Sequence, residues 1–283
     1  MINTRRGFVM SCLSFLCAAC ASDKVMFSSF DHKLTRKYTL DSKQFVDHTP
    51  WARLLTKYVL VDSDGNNLIL YGNFTMEDRT HLDHYINSLC VFPIETLNRR
   101  EQYAFWLNLY NALVVRLVLS RYLILSINDI KFGFTPLTRS PFQQKLVSIK
   151  DEPLSLSDIR QNILIPLFDD PRIHYGLCDA AIGSPNIQTK PFTGDWVDRM
   201  LDGAALDFIN HPKGLKIQNG GLILSGVFES YPNEFGAGLY RNLLHIKNYA
   251  MPGLLDEIDI KIPVRYEFNW SLNDGTGIKN KKS

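Results

Sequence analysis

The chain has 283 residues, 45% apolar and 21% charged, the balance of a globular protein with enough length to bury a full core. Lys and Arg number 31 and Asp and Glu 29, and Arg5 and Arg6 are the only charged residues before Cys20; setting those two aside leaves the signs equal. A neutral body lacks the clustered basic excess that nucleic acid or an anionic membrane surface demands, so no nucleic-acid partner is expected.

The first twenty residues, MINTRRGFVMSCLSFLCAAC, read as an export signal: paired arginines, an apolar run from Phe8 to Ala19, and small residues at its end. The run is shorter than the roughly 20 apolar residues of a membrane span. Thr4-Arg5-Arg6-Gly7-Phe8-Val9 resembles the twin-arginine export signature, and Cys17-Ala18-Ala19-Cys20 resembles a lipobox with Cys17 where an aliphatic residue is usual. The expectation is a cleaved signal at 1–19 and a lipid on Cys20, with simple cleavage near Ala19 or Ala21 as the alternative. Ala21 and Ser22 bring no aspartate, which implies an outer-membrane anchor facing the periplasm. The expected partners are the membrane, through that lipid, and an envelope protein or small-molecule ligand. Cys12 and Cys17 leave with the signal, so Cys90 and Cys178 remain in the body. An oxidising compartment permits one disulfide between them, whereas folding in the cytoplasm before twin-arginine export favours two buried free thiols. Beyond Cys20 the chain has no CxxC pair or zinc-type spacing, and neither a metal nor a cofactor is expected.

Residues 20–45 read as a tether, 46–274 as one domain, and 275–283 as a basic tail with Lys279, Lys281 and Lys282. Trp51 to Leu60 is a short helix. Asp62 to Asn67, DSDGNN, has the flavour of a calcium loop, but its glycine comes too early and Asn73 holds the place of the closing glutamate. A turn on Asp64-Gly65, leading into a strand from Leu68 to Tyr71, is expected instead. Met76 to Leu89 is an amphipathic helix. From Asn98 to about Tyr122 the chain reads NRREQYAFWLNLYNALVVRLVLSRY, apolar around the whole cylinder and opened by Asn98 with Glu101 three residues on. Arg116, Arg121, Asn108 and Asn111 argue against a membrane span, since each arginine near a bilayer centre costs about 2.5–3.5 kcal/mol. This is the expected central core helix. Asn108 and Asn111 share a stripe on it with Ala104 and Ala112, and a buried amide must find partners or lose about 1–3 kcal/mol. Tying the helix to a neighbouring loop is the favoured role; facing a ligand is the other.

Extended segments from Lys145 to Ile149 and from Glu152 to Leu156 precede a helix begun by Ser155 or Ser157. A strand is expected from Arg172 to Asp179, then a helix from Thr193 to Asn210 capped by Thr193 and ended at Pro212. Leu215 to Gly226, LKIQNGGLILSG, is two alternating strands about Asn219-Gly220. A helix from about Ala237 to Tyr249 and a strand from Pro263 to Trp270 complete the body. Helices segregate from hairpins without regular alternation, which predicts an α+β single domain with a central buried helix, further helices and antiparallel hairpins.

QYAFWLNLYNALVVRLVL, SLSDIRQNILIPLFDDPRIHYGL, the GSPN turn, LDGAALDFIN and the ending YEFNWSLND together resemble the domain of unknown function numbered 547, from about Trp51 to Asp274. The resemblance implies a single domain, often exported in bacteria, with no established reaction. That family's pattern around His174 is a histidine, three residues, Asn-Cys, then four residues and a second Cys before Pro. On it Cys178 falls at the asparagine, Asp179 at the first cysteine and Ser184 at the second, and Asn269 stands where the family usually carries an aspartate.

His174 and Cys178, four residues apart, are the first place to look for nucleophilic chemistry. On a strand they would share a face but sit about 13 Å apart at about 3.3 Å per residue, too far for the about 2.6–3.2 Å of a nucleophile–base pair. Cys178 therefore reads first as a small buried hydrophobe. His174 could meet Ser184 or Asp179 if the chain doubles back at Gly183-Ser184-Pro185. Three readings stay open: a domain that binds a partner or small ligand at a former site without turnover, which is preferred; a hydrolase or acyl-transfer enzyme using Ser184 or Cys178 with His174; and a structural envelope scaffold. Convergence of His174, Ser184 and the Asn108/Asn111 stripe on one pocket would favour a site, and a filled core there a scaffold.

Overall fold

The computed structural model describes residues 34, 37–133, 140–258 and 261–277. The export signal, Cys20, most of the tether and the end of the basic tail lie outside the described residues. Helix α1 (Thr49–Tyr58) runs into a hairpin of β1 (Val59–Val61) and β2 (Asn67–Ile69). The turn between them is the expected one: Gly65 has φ 85°, and the Asp62 carboxylate accepts the Asp64 and Asn66 amides at 2.9 and 2.8 Å. Helix α2 (Met76–Val91) starts where the Thr75 hydroxyl accepts the Asp78 amide at 3.1 Å. Asp78 in turn receives Lys57 and the Tyr58 and Thr75 hydroxyls, which joins the end of α1 to the start of α2 and holds its carboxyl below the usual range.

Helix α3 (Arg99–Leu119) is the centre of the molecule: of its 21 residues only Arg99, Arg100 and Arg116 are not buried. Asn98 caps it by accepting the Glu101 amide at 3.0 Å. The Glu101 carboxylate does not return to Asn98 but accepts the amide of Gly194 at 3.0 Å. No helix among the described residues is long and apolar enough to cross a membrane. A second hairpin, β3 (Val147–Ile149) with β4 (Glu152–Leu154), leads to Ser155, whose hydroxyl accepts the Asp158 amide while Asp158 accepts the Ser155 amide. The helix begun there widens into a π-helical stretch, Asp158–Leu164, before closing as α4 (Ile165–Phe168).

Two sequence expectations fail in the next stretch. Arg172 to Asp179 is not a strand: α5 (Ile173–Gly176) is a single helical turn. Asp170 accepts the Arg172 amide at 2.9 Å, and the Tyr175 and Gly176 amides both turn back to the Arg172 carbonyl, so local bonds take the donors a sheet would have used. Helix α6 spans Val197–Ile209, later than expected, and the Thr193 hydroxyl has no partner among the described residues. Gly194 explains the delay: a Cβ there would lie 2.5 Å from the Glu101 Oε1, so the chain is pinned against α3 before it can coil.

The hairpin of β5 (Leu215–Gln218) and β6 (Gly221–Ser225) turns on Asn219 and Gly220, both at positive φ, as the Asn-Gly pair predicts. Helices α7 (Gly226–Ser230), α8 (Leu239–Lys247) and α9 (Pro252–Leu255) then carry the chain across, and β7 (Val264–Glu267) joins β6 in parallel rather than as a further antiparallel strand. A parallel pair needs such a crossover. The architecture is a mixed α+β domain: one apolar core surrounds α3, and a second, built on Phe208, Phe228 and Leu243, fills the space between α6, α8 and the three-stranded sheet.

Candidate functional site

The two asparagines of α3 act as backbone surrogates. Asn111 Nδ2 donates to the Gly176 carbonyl at 2.9 Å and its Oδ1 accepts the Cys178 amide at 2.9 Å. Asn108 does the same to one residue, donating to the Phe192 carbonyl at 2.8 Å and accepting its amide at 3.0 Å. Both side chains are buried, and no cleft opens on them. They clamp the start of the His174–Ile187 stretch, and the segment that follows it, to the central helix.

Held this way, Cys178 turns into the main core, where Asn273 Nδ2 donates toward its Sγ at 3.6 Å. Burial, with Asp179 as a further negative neighbour, pushes this thiol up to about 11. Cys90 and Cys178 are both free. The chain does double back at 183–185: the Gly183 amide reaches the Asn269 carbonyl at 2.9 Å, and a Cβ on Gly183 would lie 2.6 Å from the Asn269 nitrogen. Its effect is to bring Ser184 to Asp179, not to His174. The buried Ser184 hydroxyl accepts the Asp179 amide at 2.8 Å.

His174 faces the other core. Its ring stacks on Tyr231 with centroids 4.2 Å apart and contacts Phe235 at 5.2 Å. Neither ring nitrogen has a hydrogen-bond partner among the described residues. Burial, reinforced by the positive charge of Arg160, holds its pKa far below the usual value, so the ring is neutral. Asn269 is exposed and accepts the Ser271 amide, away from all of these, beside a groove that also contains Lys213. Lys213 donates to Asn186 at 2.6 Å, and burial lowers its pKa to about 8. His174, Ser184, Asn108 and Asn111 therefore do not converge on a pocket; a filled core surrounds them.

The cleft opens at Asp179. Arg160, on the π-helical stretch and 7% exposed, donates to Asp179 Oδ1 at 2.6 Å and to the Tyr231 hydroxyl at 2.5 Å. Tyr110, from α3, donates to the same Oδ1 at 2.6 Å. The guanidinium lies 5.0 Å from the Tyr110 ring centroid and 5.3 Å from that of Tyr231, within cation–π reach of both. Burial alone would disfavour the charge on Arg160; Asp179 and the two phenols hold it protonated. These four residues border a cleft of about 320 Å³ whose other walls include Phe268 and Trp270. Among the described residues no group of three or more His, Cys, Asp or Glu is placed to hold a metal ion.

Of the residues bordering this cleft, sequence reasoning named Asp179 and passed over Tyr110, Arg160, Tyr231 and Trp270. Arg160 carried a signal: it sits four residues after Leu156 and three and four before Ile163 and Leu164, on a stripe whose other members are all buried. An arginine on an apolar stripe needs an anionic partner. Tyr231 and Trp270 carried none, because what brings them to Asp179 is the packing of the second core.

The fold and site define an α+β domain built around one buried helix, with an arginine–aspartate pair at the floor of its cleft. A family model described as "Protein of unknown function, DUF547" matches residues 94–209, from just before α3 to the end of α6. The match is narrower than the resemblance over 51–274 had implied; it contains Tyr110, Arg160, His174, Asp179 and Ser184 and excludes Tyr231 and Trp270. No curated protein and no solved structure matches the chain.

Proposed function

We propose that the protein is an exported envelope lipoprotein, attached through Cys20, whose domain binds a partner or small ligand at the Asp179 cleft without turning it over. One observation carries the binding half of this reading: the position where the family resemblance places its first cysteine opens on the cleft, and here it is an aspartate locked to Arg160 and Tyr110. A carboxylate neutralised by a buried guanidinium is a poor nucleophile and a poor base. The neighbouring groups that chemistry would need are turned elsewhere: Cys178 into the core, Ser184 onto a backbone amide, His174 onto aromatic rings. The filled core around the Asn108/Asn111 stripe favours a second reading, a structural scaffold. The cleft weighs toward a ligand because it places a largely buried ion pair at the edge of a concave surface, where a ligand can reach it.

The attachment rests on the twin-arginine signature and the lipobox-like CAAC. Cells fed an azide-bearing fatty acid should label the wild-type chain and not Cys20→Ser, and equal labelling would end the lipoprotein claim. The absence of turnover is tested on the folded protein with a fluorophosphonate and with iodoacetamide. Neither Ser184 nor Cys178 should react faster than the corresponding free side chain. Labelling of Ser184 that disappears in His174→Ala would establish the hydrolase instead.

A further inference from the structure

We infer that the Asp179 cleft takes a neutral saccharide; this rests on the reading of the cleft as a ligand site and specifies its chemistry. Charge is the first argument. Among the described residues Arg160 is the only cation bordering the cleft, and it is already paired with Asp179, while Glu229 on the rim has no described cation paired with it. An anionic ligand would meet a neutral floor and a negative edge.

The second argument is the hydrogen-bonding capacity the floor leaves unspent. Asp179 Oδ1 accepts from both Arg160 and Tyr110, whereas its Oδ2 receives nothing from the described residues, and the carboxylate borders the cleft. The Tyr231 oxygen accepts from Arg160, so its own O–H remains to be donated. One acceptor and one donor side by side suit a group that donates and accepts at once, as a sugar hydroxyl does. A quaternary ammonium would leave both unpaired.

The wall supplies the third. Phe268 and Trp270, on the segment that follows β7, both border the cleft with ring centroids 4.5 Å apart. Phe142 lies edge-on to Trp270 at 6.3 Å, and Trp270 is 41% exposed. A pyranose has a C–H face for such a wall and hydroxyls on its edge for the Asp179–Tyr231 pair and for Gln161 and Ser157 around the mouth. The volume of about 320 Å³ lies at the small end of the ligand-site range of about 300–1,000 Å³, enough for a ring or two.

The test uses the full chain in detergent, titrated by calorimetry with chitohexaose, cellohexaose and maltohexaose, and in parallel with tetra-alanine amide and with choline. At least one oligosaccharide should bind, and Tyr231→Phe and Trp270→Ala should each weaken it about tenfold or more while melting as wild type does. Trp270→Ala touches only a half-exposed wall, so it keeps the test valid if Tyr231→Phe perturbs the Arg160 network. Failure of all three oligosaccharides to bind, or binding indifferent to both variants, overturns the saccharide assignment. Binding of the peptide or of choline that is lost in Trp270→Ala also overturns it, while leaving the cleft a ligand site. Cleavage of a bound oligosaccharide, seen as shorter products by mass spectrometry, would uphold the saccharide and instead overturn the absence of turnover.

Discussion

At the scale of single residues, what matters most is which buried polar atoms are satisfied. Asn111 satisfies two backbone groups, the Gly176 carbonyl and the Cys178 amide, that no secondary structure serves. Asn111→Leu keeps the volume and strands both, so it should cost about 1–3 kcal/mol per orphaned group, read as a lower urea midpoint at unchanged slope. A variant as stable as wild type would show that this clamp is dispensable. His174 is the opposite case, with both ring nitrogens unpartnered among the described residues and its stabilising contacts those of an aromatic ring. Its value to the fold is packing, and phenylalanine should replace it with a melting temperature at pH 7.5 equal to or above wild type. A large loss of stability there would mean that a ring nitrogen makes a bond the fold depends on.

At the scale of elements, local chemistry was legible wherever the chain's own side chains or turn residues decide the outcome. The Asn98 cap, the Asp64-Gly65 turn and the Asn219-Gly220 turn all form where the sequence places them. It misled where a distant residue intervenes. Thr193 looks like a cap, but Gly194 is drawn to Glu101 on α3 and the helix starts three residues beyond it. The stretch from Arg172 to Asp179 looks extended because it is apolar and short, but Asp170 takes the Arg172 amide and the Tyr175 and Gly176 amides return to the Arg172 carbonyl. Gly183 is a further element-scale dependence: its backbone lies against Asn269, where the amide bond to the Asn269 carbonyl and that from Ile182 to Ser271 hold the turn to the segment after β7. Gly183→Ala should push the two apart, lowering the melting temperature and shifting the amide resonances of Ser184 and Asn269 together. Unchanged resonances at both positions would show that the contact gives way at no cost.

At the scale of the whole molecule, three histidines are buried or half-buried on different elements, and burial lowers the pKa of each: His48 and His245 to about 4, His174 well below 6.5. The unfolded chain binds their protons near pH 6.5 and the folded chain does not, so the stability they confer is complete above about pH 6.5 and is lost as pH falls below it. Each can add up to about 1.4 kcal/mol per pH unit to the slope. Urea midpoints from pH 7.5 to 4.5 should fall in wild type and fall less steeply in His174→Phe. Identical slopes would mean that His174 titrates normally in the fold. Carboxylates such as Asp78, held low by their partners, add their own loss at still lower pH.

The class of fold and the central helix could both be read along the chain. Apolar periodicity and turn residues act over a few neighbours and need no distant partner to be recognised. The site was decided only by tertiary structure. Tyr110, Arg160, Asp179 and Tyr231 come from four separate segments, and only the packing of the π-helical stretch between the two cores brings a buried cation, its counter-charge and two phenols to one cleft. The same packing turns His174 to one core and Cys178 to the other, although only three residues separate them. Spacing along a chain fixes which groups could meet, but the burial of charge fixes which ones do, since an arginine taken out of water must find its carboxylate wherever the fold has put it.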